Sequence, residues 1–267
     1  MLLRLPDPYD FELSTGRFRA FGTDLASRLV DGALYRVVGG REVRIAPCPG
    51  GVDVEPLDDE TRPVVLHLLG APFDLPPFYA WAEQDPIIAP VVGRLRGFRP
   101  PLQPDPFEAL ITSITAQQIS LHAAVAIRNR LVERLGTPVG EAWSFPTRER
   151  VAAAGERMLV EVGFTRKRSE YAVGLARSDL DLGGLAALDD DEVRTRITAL
   201  PGLGPWTAEW FLARHLARPH AWPAGDLALR KAAESLYGVA VTELGARLHP
   251  FQNLSAHYLL TGWLTRP

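Results

Sequence analysis

The stretch from Leu200 to Asp226, LPGLGPWTAEWFLARHLARPHAWPAGD, constrains the fold more than any other part of this chain. Its opening, Leu-Pro-Gly-Leu-Gly, reads as a tight turn between two helical patterns. The pattern before it runs from about Asp190 to Ala199. Asp189 can cap it, and Glu192, three positions on, completes a capping box. The pattern after it begins at Pro205, which suits the first helical position because its missing N–H would be unpaired there anyway. Gly202 and Gly204 allow positive φ and close backbone approach. Helix, glycine turn and helix leave free N–H groups at the start of the second helix, and with the helix dipole these favour a phosphate. A Gly/Pro-rich segment then ends in Gly225-Asp226, where a further helical pattern, Leu227 to Tyr237, begins. Capping that helix is the commoner job for such an aspartate.

Composition excludes several classes. The 267 residues suffice for one large or two modest domains. No apolar run approaches the roughly 20 residues of a membrane helix. The start, MLLRLPDPYD, turns acidic too soon for a signal peptide, so a cytoplasmic protein with no membrane partner is expected. Cys48 is the single cysteine, which rules out an intrachain disulfide, a four-cysteine iron–sulfur cluster and a zinc ribbon. The histidines make no spaced metal set. A net charge of −3 argues against nonspecific coating of nucleic acid. The acidic surplus lies before residue 100, so any DNA affinity must come from local placement, and few phosphate contacts would mean a shallow salt dependence.

The patterning predicts two domains. Residues 1–97 read as an α+β unit, an antiparallel sheet with a helix. Strands are expected at Ala33–Val38, Val43–Ile45 and Val52–Val54, separated by Gly39-Gly40 and Pro49-Gly50-Gly51, with an earlier strand within Phe11–Phe21 and a helix at Thr61–Leu69. Prolines crowd the segment from Leu75 to Pro106, which reads as a linker or wrapping segment rather than a long helix. Residues 98–267 read as mostly α-helical. Phe107, Leu110, Ile111 and Ile114 share one face, and Ser120 can cap a helix from His122 to Leu135. Gln117 and Gln118 fall at the break between those helices. Further helices are expected at Arg148–Ala154, Arg157–Val162, Lys167–Ser178 (capped by Thr165), Thr242–Leu248 and after Pro250.

The glycine hairpin followed at this distance by Asp226 resembles the signature of the helix-hairpin-helix DNA glycosylase superfamily. The sheet domain ahead of the helices, Gln117-Gln118-Ile119-Ser120, and Trp206-Thr207-Ala208 after the turn are similar to the 3-methyladenine DNA glycosylase II, alkylation-repair type. The likeness covers roughly residues 105 to 265. It implies a sheet domain beside a helical helix-hairpin-helix glycosylase domain that holds the cleft. Members that also cleave the strand carry a lysine two residues after the second hairpin glycine. Trp206 stands there, so the resemblance implies a monofunctional enzyme of base excision repair that hydrolyses the N-glycosidic bond with water. The expected partner is double-stranded DNA containing alkylated bases, met by a monomer.

The resemblance also implies site roles. Asp226 is the catalytic carboxylate. Trp206, Trp210 and Phe251 form the base pocket, where a cationic alkylated base gains cation–π attraction. Trp222 and Trp263 read as core. Gln118 is the DNA wedge, with Gln117 second; the alternative is that Gln118 merely caps the helix end. The N–H groups of Gly202, Gly204 and Trp206 bind phosphate. No cofactor is expected beyond a Na or K ion held by the carbonyls of Thr198, Leu200 and Leu203. Arg128, Arg130, Arg166, Lys167, Arg168 and Arg214 are either side-chain contacts to DNA or solvated helix faces. Other readings are a glycosylase for another damaged or mismatched base, and a noncatalytic helix-hairpin-helix DNA-binding protein.

Overall fold

The computed structural model describes residues 1–264. The first part of the chain is an α+β unit built of β1 (Leu2–Leu3), α1 (Phe11–Thr15), α2 (Arg17–Ala20), β2 (Ser27–Val30), β3 (Ala33–Val38), β4 (Arg41–Cys48), β5 (Gly51–Glu55) and α3 (Thr61–Leu68). The five strands form one antiparallel sheet in the order β1-β5-β4-β3-β2. Val38 pairs with Arg41 across Gly39-Gly40, both at positive φ, as a two-residue hairpin needs. Leu34, Val38, Val43, Ile45, Val52 and Val54 alternate onto one face and meet Val65, Leu68 and Leu69 of α3.

Phe11–Phe21, expected as a strand, is the helix pair α1–α2. Asp10 caps α1 by accepting from Leu13 N at 2.9 Å, and the cap outweighs the apparent alternation. Sequence patterning also passed over β1 and β2.

The proline-crowded segment is not a structureless linker. It contains α4 (Leu75–Ala82) and α5 (Ala89–Arg94), and the prolines begin these helices, with Pro76, Pro77 and Pro90 in the first turns. Side chains from Phe73 to Phe98 already belong to the helical core.

The chain continues with α6 (Pro106–Ala116), α7 (Leu121–Leu135), the hairpin β6 (Thr137–Val139) and β7 (Ala142–Ser144), α8 (Arg148–Glu161), α9 (Arg166–Arg177), a 3-10 turn (Gly184–Ala187), α10 (Asp190–Thr198), α11 (Pro205–Arg214), α12 (Leu227–Tyr237) and α13 (Val241–Arg247). The helix α14 (Gln252–Leu264) closes the described chain. Helix α8 breaks at Gly155, whose φ is 71°, so the two expected helices run on through a kink. Ser120, Thr165 and Asp189 cap α7, α9 and α10 as their sequence positions predict. The capping box at Asp189 is half made: Glu192 Oε1 instead accepts from Arg196 Nε at 2.8 Å.

Buried charge joins the sheet unit to the helices. Glu108 of α6 is buried and accepts from Arg36 of β3 and from Arg128 of α7, the latter at 2.6 Å; Arg128 also reaches Asp24 at 2.6 Å. Arg99, with no exposed surface, donates to the carbonyls of Pro6, Gly70 and Phe73. Arg128, expected either on DNA or on a solvated face, is therefore an interior strut.

Candidate active site

The hairpin between α10 and α11 is locked from both ends. Arg194 of α10 donates to Glu209 of α11 at 2.6 Å, and the other oxygen of Glu209 accepts from Trp222 N at 2.9 Å. Within the turn, Leu203 N donates to Leu200 O at 3.2 Å. The two glycines do different work. Gly202 has φ +81° and lies under the Tyr171 ring, where a Cβ would sit 2.1 Å from ring carbons. Gly204 has φ −89°, with open space around its Cα, so the positive φ expected of both belongs to Gly202 alone. Among the described residues, no backbone hydrogen bond uses the N–H of Gly202, Gly204 or Trp206.

Asp226 caps α12. Its Oδ1 accepts from Ala228 N at 2.9 Å and from Leu229 N at 3.1 Å. Its Oδ2 accepts from Trp206 Nε1 at 3.3 Å and from Trp210 Nε1 at 3.1 Å. The two readings of this aspartate are thus compatible, because one oxygen caps the helix while the other meets the hairpin helix. The carboxylate is half-buried, and its neighbour Leu227 is 61% exposed. Four N–H donors on two oxygens fix its orientation.

The aromatic residues named from the sequence differ in their settings. Trp206 is half-buried, with its side chain against Gly225. Trp210 is 2% exposed; the Arg214 guanidinium lies over its face, Cζ 3.5 Å from a ring centroid, and His257 packs at its edge, 5.8 Å between centroids. Phe251 lies among Phe78 and Trp81, at 5.7 Å and 5.5 Å. Trp222 rests on Gly245 and donates to Val241 O at 2.9 Å, and Trp263 is half-buried.

The two glutamines part company at the α6–α7 corner. Gln117 Nε2 donates to Gly202 O at 2.8 Å, whereas Gln118 is exposed and takes a φ of 55°. The basic residues also divide. Arg166 and Lys167 are exposed, Arg130 is exposed but donates to Val162 O at 2.7 Å, and Arg168 is half-buried. Burial pushes Arg214 down to about 9; Arg17 adds to that shift and Asp226 opposes it.

The family follows from a match over this same region. Residues 111–245, which span the α6–α7 corner, the hairpin and Asp226, match the profile of the HhH-GPD superfamily of base excision DNA repair proteins. The chain belongs to the HhH-GPD superfamily, in its 3-methyladenine DNA glycosylase type. One relative is the probable bifunctional transcriptional activator/DNA repair enzyme AlkA of Mycobacterium tuberculosis, 32% identical over 97% of this chain and 56% of that protein. Another is the DNA-3-methyladenine glycosylase of Bacillus subtilis, 31% identical over 66% of this chain and 62% of that protein. The chain thus spans about three fifths of these curated relatives. A solved structure of the 3-methyladenine DNA glycosylase from Archaeoglobus fulgidus shares the fold, with a TM-score of 0.87, 24% identity, and 98% and 97% of the two chains covered.

Within this HhH-GPD chain, sequence reasoning missed the partners of Asp226. Trp206, Trp210 and Arg214 recur at four-residue steps on α11, which puts two indoles and a cation on one helix face. That spacing was the available signal. No helix among the described residues is long and apolar enough to cross a membrane. No cluster of three or more metal-ligating side chains occurs among them either.

Proposed function

We propose that this protein is a monofunctional DNA glycosylase of base excision repair. It acts as a monomer on double-stranded DNA, flips out an alkylated purine of the 3-methyladenine type and hydrolyses its N-glycosidic bond. The observation that carries the reading is the half-buried Asp226 carboxylate at the start of α12, held by four N–H donors, two of them from the hairpin helix α11. Loss of the base builds positive charge on the sugar, and a fixed anion in a site from which DNA expels water stabilises that charge. With its lone pairs already engaged, the carboxylate acts first as an electrostatic partner of the sugar and only second as an acceptor for the proton of the attacking water. Trp206 in place of a lysine supports hydrolysis without strand cleavage.

The N–H groups of Gly202, Gly204 and Trp206 grip phosphate in this reading, and the carbonyls of Thr198, Leu200 and Leu203 hold a monovalent cation beside it. Gln118, exposed at the helix corner, fills the gap left by the flipped base, which offsets part of the few kcal/mol of unstacking. Trp206 is the aromatic wall of the pocket in this reading, with Trp210 and Phe251 as its further aromatic members, and cation–π attraction contributes about 0.5–2 kcal/mol for a cationic base. The test is incubation with methylated duplex DNA and chromatography of the freed bases. Wild-type protein releases methylated purines, and Asp226→Asn releases none while still binding damaged DNA. Full activity in Asp226→Asn removes the mechanism.

A further inference from the structure

Trp210 faces two charges at once. Its N–H edge donates to Asp226 Oδ2 at 3.1 Å, and its ring face carries the Arg214 guanidinium, Cζ 3.5 Å from a ring centroid. Arg214 makes no ion pair among the described residues, and its Nε is buried with no hydrogen-bond partner. A cation left in such a place is costly unless a nearby anion compensates it. The compensating charge that acts on it is Asp226, opposed by Arg17 of α2. Burial holds the arginine below its usual range, consistent with a guanidinium kept there against its own solvation.

We propose that Arg214 is a positioning residue for Asp226 and acts through Trp210. This deepens the glycosylase reading and rests on Asp226 being the reacting carboxylate. The physical argument has three parts. A cation over the indole face draws electron density from the ring, which makes the N–H a stronger donor to the carboxylate. The positive charge also offsets the carboxylate's desolvation once DNA covers the site, when Coulomb terms strengthen. Finally, the four-residue spacing on α11 fixes Arg214 over Trp210, and the His257 ring at the edge keeps the indole from turning. His257 of α14 packs against Trp210, and Arg17 of α2 is the nearby cation whose charge acts on Arg214. Arg17 repels Arg214, Arg214 and Arg17 together with burial hold His257 well below its usual range, and Asp226 is the anion that favours the Arg214 charge among the described residues. Trp210 thereby serves the carboxylate, and the half-buried Trp206 remains the ring available to a flipped base.

The experiment measures single-turnover release of methylated purines from methylated duplex DNA across the acid-to-neutral pH range, with DNA affinity measured separately. Arg214→Met keeps the stacked stem and removes the charge. It is expected to slow release about tenfold, the size of one weakened hydrogen bond to a charged group, to move the acid limb of the rate profile to higher pH, and to leave DNA affinity unchanged. Arg214→Lys, which keeps the charge, restores the limb. Trp210→Phe keeps the ring, removes the N–H, and moves the limb the same way; it carries the test if Arg214→Met does not fold. An acid limb at the wild-type position in both neutral variants overturns the assignment, with the glycosylase reading intact as long as Asp226→Asn is inactive. Full release by Asp226→Asn, or none by the wild type, overturns the reading itself and this assignment with it.

Discussion

Gln117 Nε2 donates to the carbonyl of Gly202 across 2.8 Å, and so ties the end of α6 to the glycine hairpin. The neighbouring Gln118 makes no such bond and stands exposed at positive φ. Adjacent residues of one type therefore separate into a strut and a free side chain. We expect Gln117→Ala to weaken DNA binding by loosening the hairpin, and Gln118→Ala to keep the affinity but lose base flipping. A fluorescent base analogue opposite an abasic site reads the second effect. Equal flipping signals for wild type and Gln118→Ala would remove the wedge.

The two hairpin glycines should respond oppositely to alanine. At Gly202 a Cβ collides with the Tyr171 ring and the backbone is left-handed, so Gly202→Ala should cost more than about 1–3 kcal/mol and abolish tight DNA binding. At Gly204 the backbone is extended and the space open, so Gly204→Ala should be near neutral in thermal stability. Matching melting temperatures for the two variants would contradict this account.

Glu108→Gln tests the joint between the sheet and the helices. The change leaves Arg36 and Arg128 buried beside a neutral amide, with Asp24 as the remaining carboxylate and Ser27, Thr112 and the Ala26 carbonyl as neutral acceptors. Removing one partner of a buried ion pair costs about 3–5 kcal/mol. Chemical denaturation should show a loss of that order, and a loss below about 1 kcal/mol would place the network near solvent.

Acid should destabilise the fold through three histidines. Burial holds His67 down to about 4, lowers His215, and lowers His257 well below its usual value. The unfolded chain protonates them near pH 6.5, so the unfolded state binds more protons below that pH. Stability is therefore fully present above about pH 6.5 and is lost as pH falls toward 4, with His67 contributing roughly 1–2 kcal/mol at pH 5. Urea midpoints at neutral pH and at pH 5 check this, and the Glu108 network should be unaffected over the same interval. A midpoint that holds or rises on acidification would show that these rings charge freely in the fold.

Much of this architecture is legible in the chain because it depends on local chemistry. Ser120, Thr165, Asp189 and Asp226 cap helices by satisfying backbone donors a few residues away, so the signal lies within each motif. The Gly39-Gly40 turn needs no distant partner either. The errors have local causes too: Asp10 starts a helix inside an apparently alternating run, and the prolines after Leu75 open helices instead of preventing them. The short strands β6 and β7 were not legible because they are held from afar, by Leu25 O and Glu42.

The sequence by itself determined the hairpin, the aspartate after it and the succession of helices, since each is a matter of spacing along one segment. Tertiary structure alone decided what that aspartate touches. Twenty residues separate Trp206 from Asp226, and no periodicity reports that the intervening chain folds back to bring two indole N–H groups onto one carboxylate oxygen. The same holds for Arg128, whose helical position reads as a basic surface residue until Glu108 and Asp24 close around it. Charges and rings acquire their roles from neighbours supplied by other elements, and packing sets those neighbours once the hydrophobic core has fixed where each helix lies.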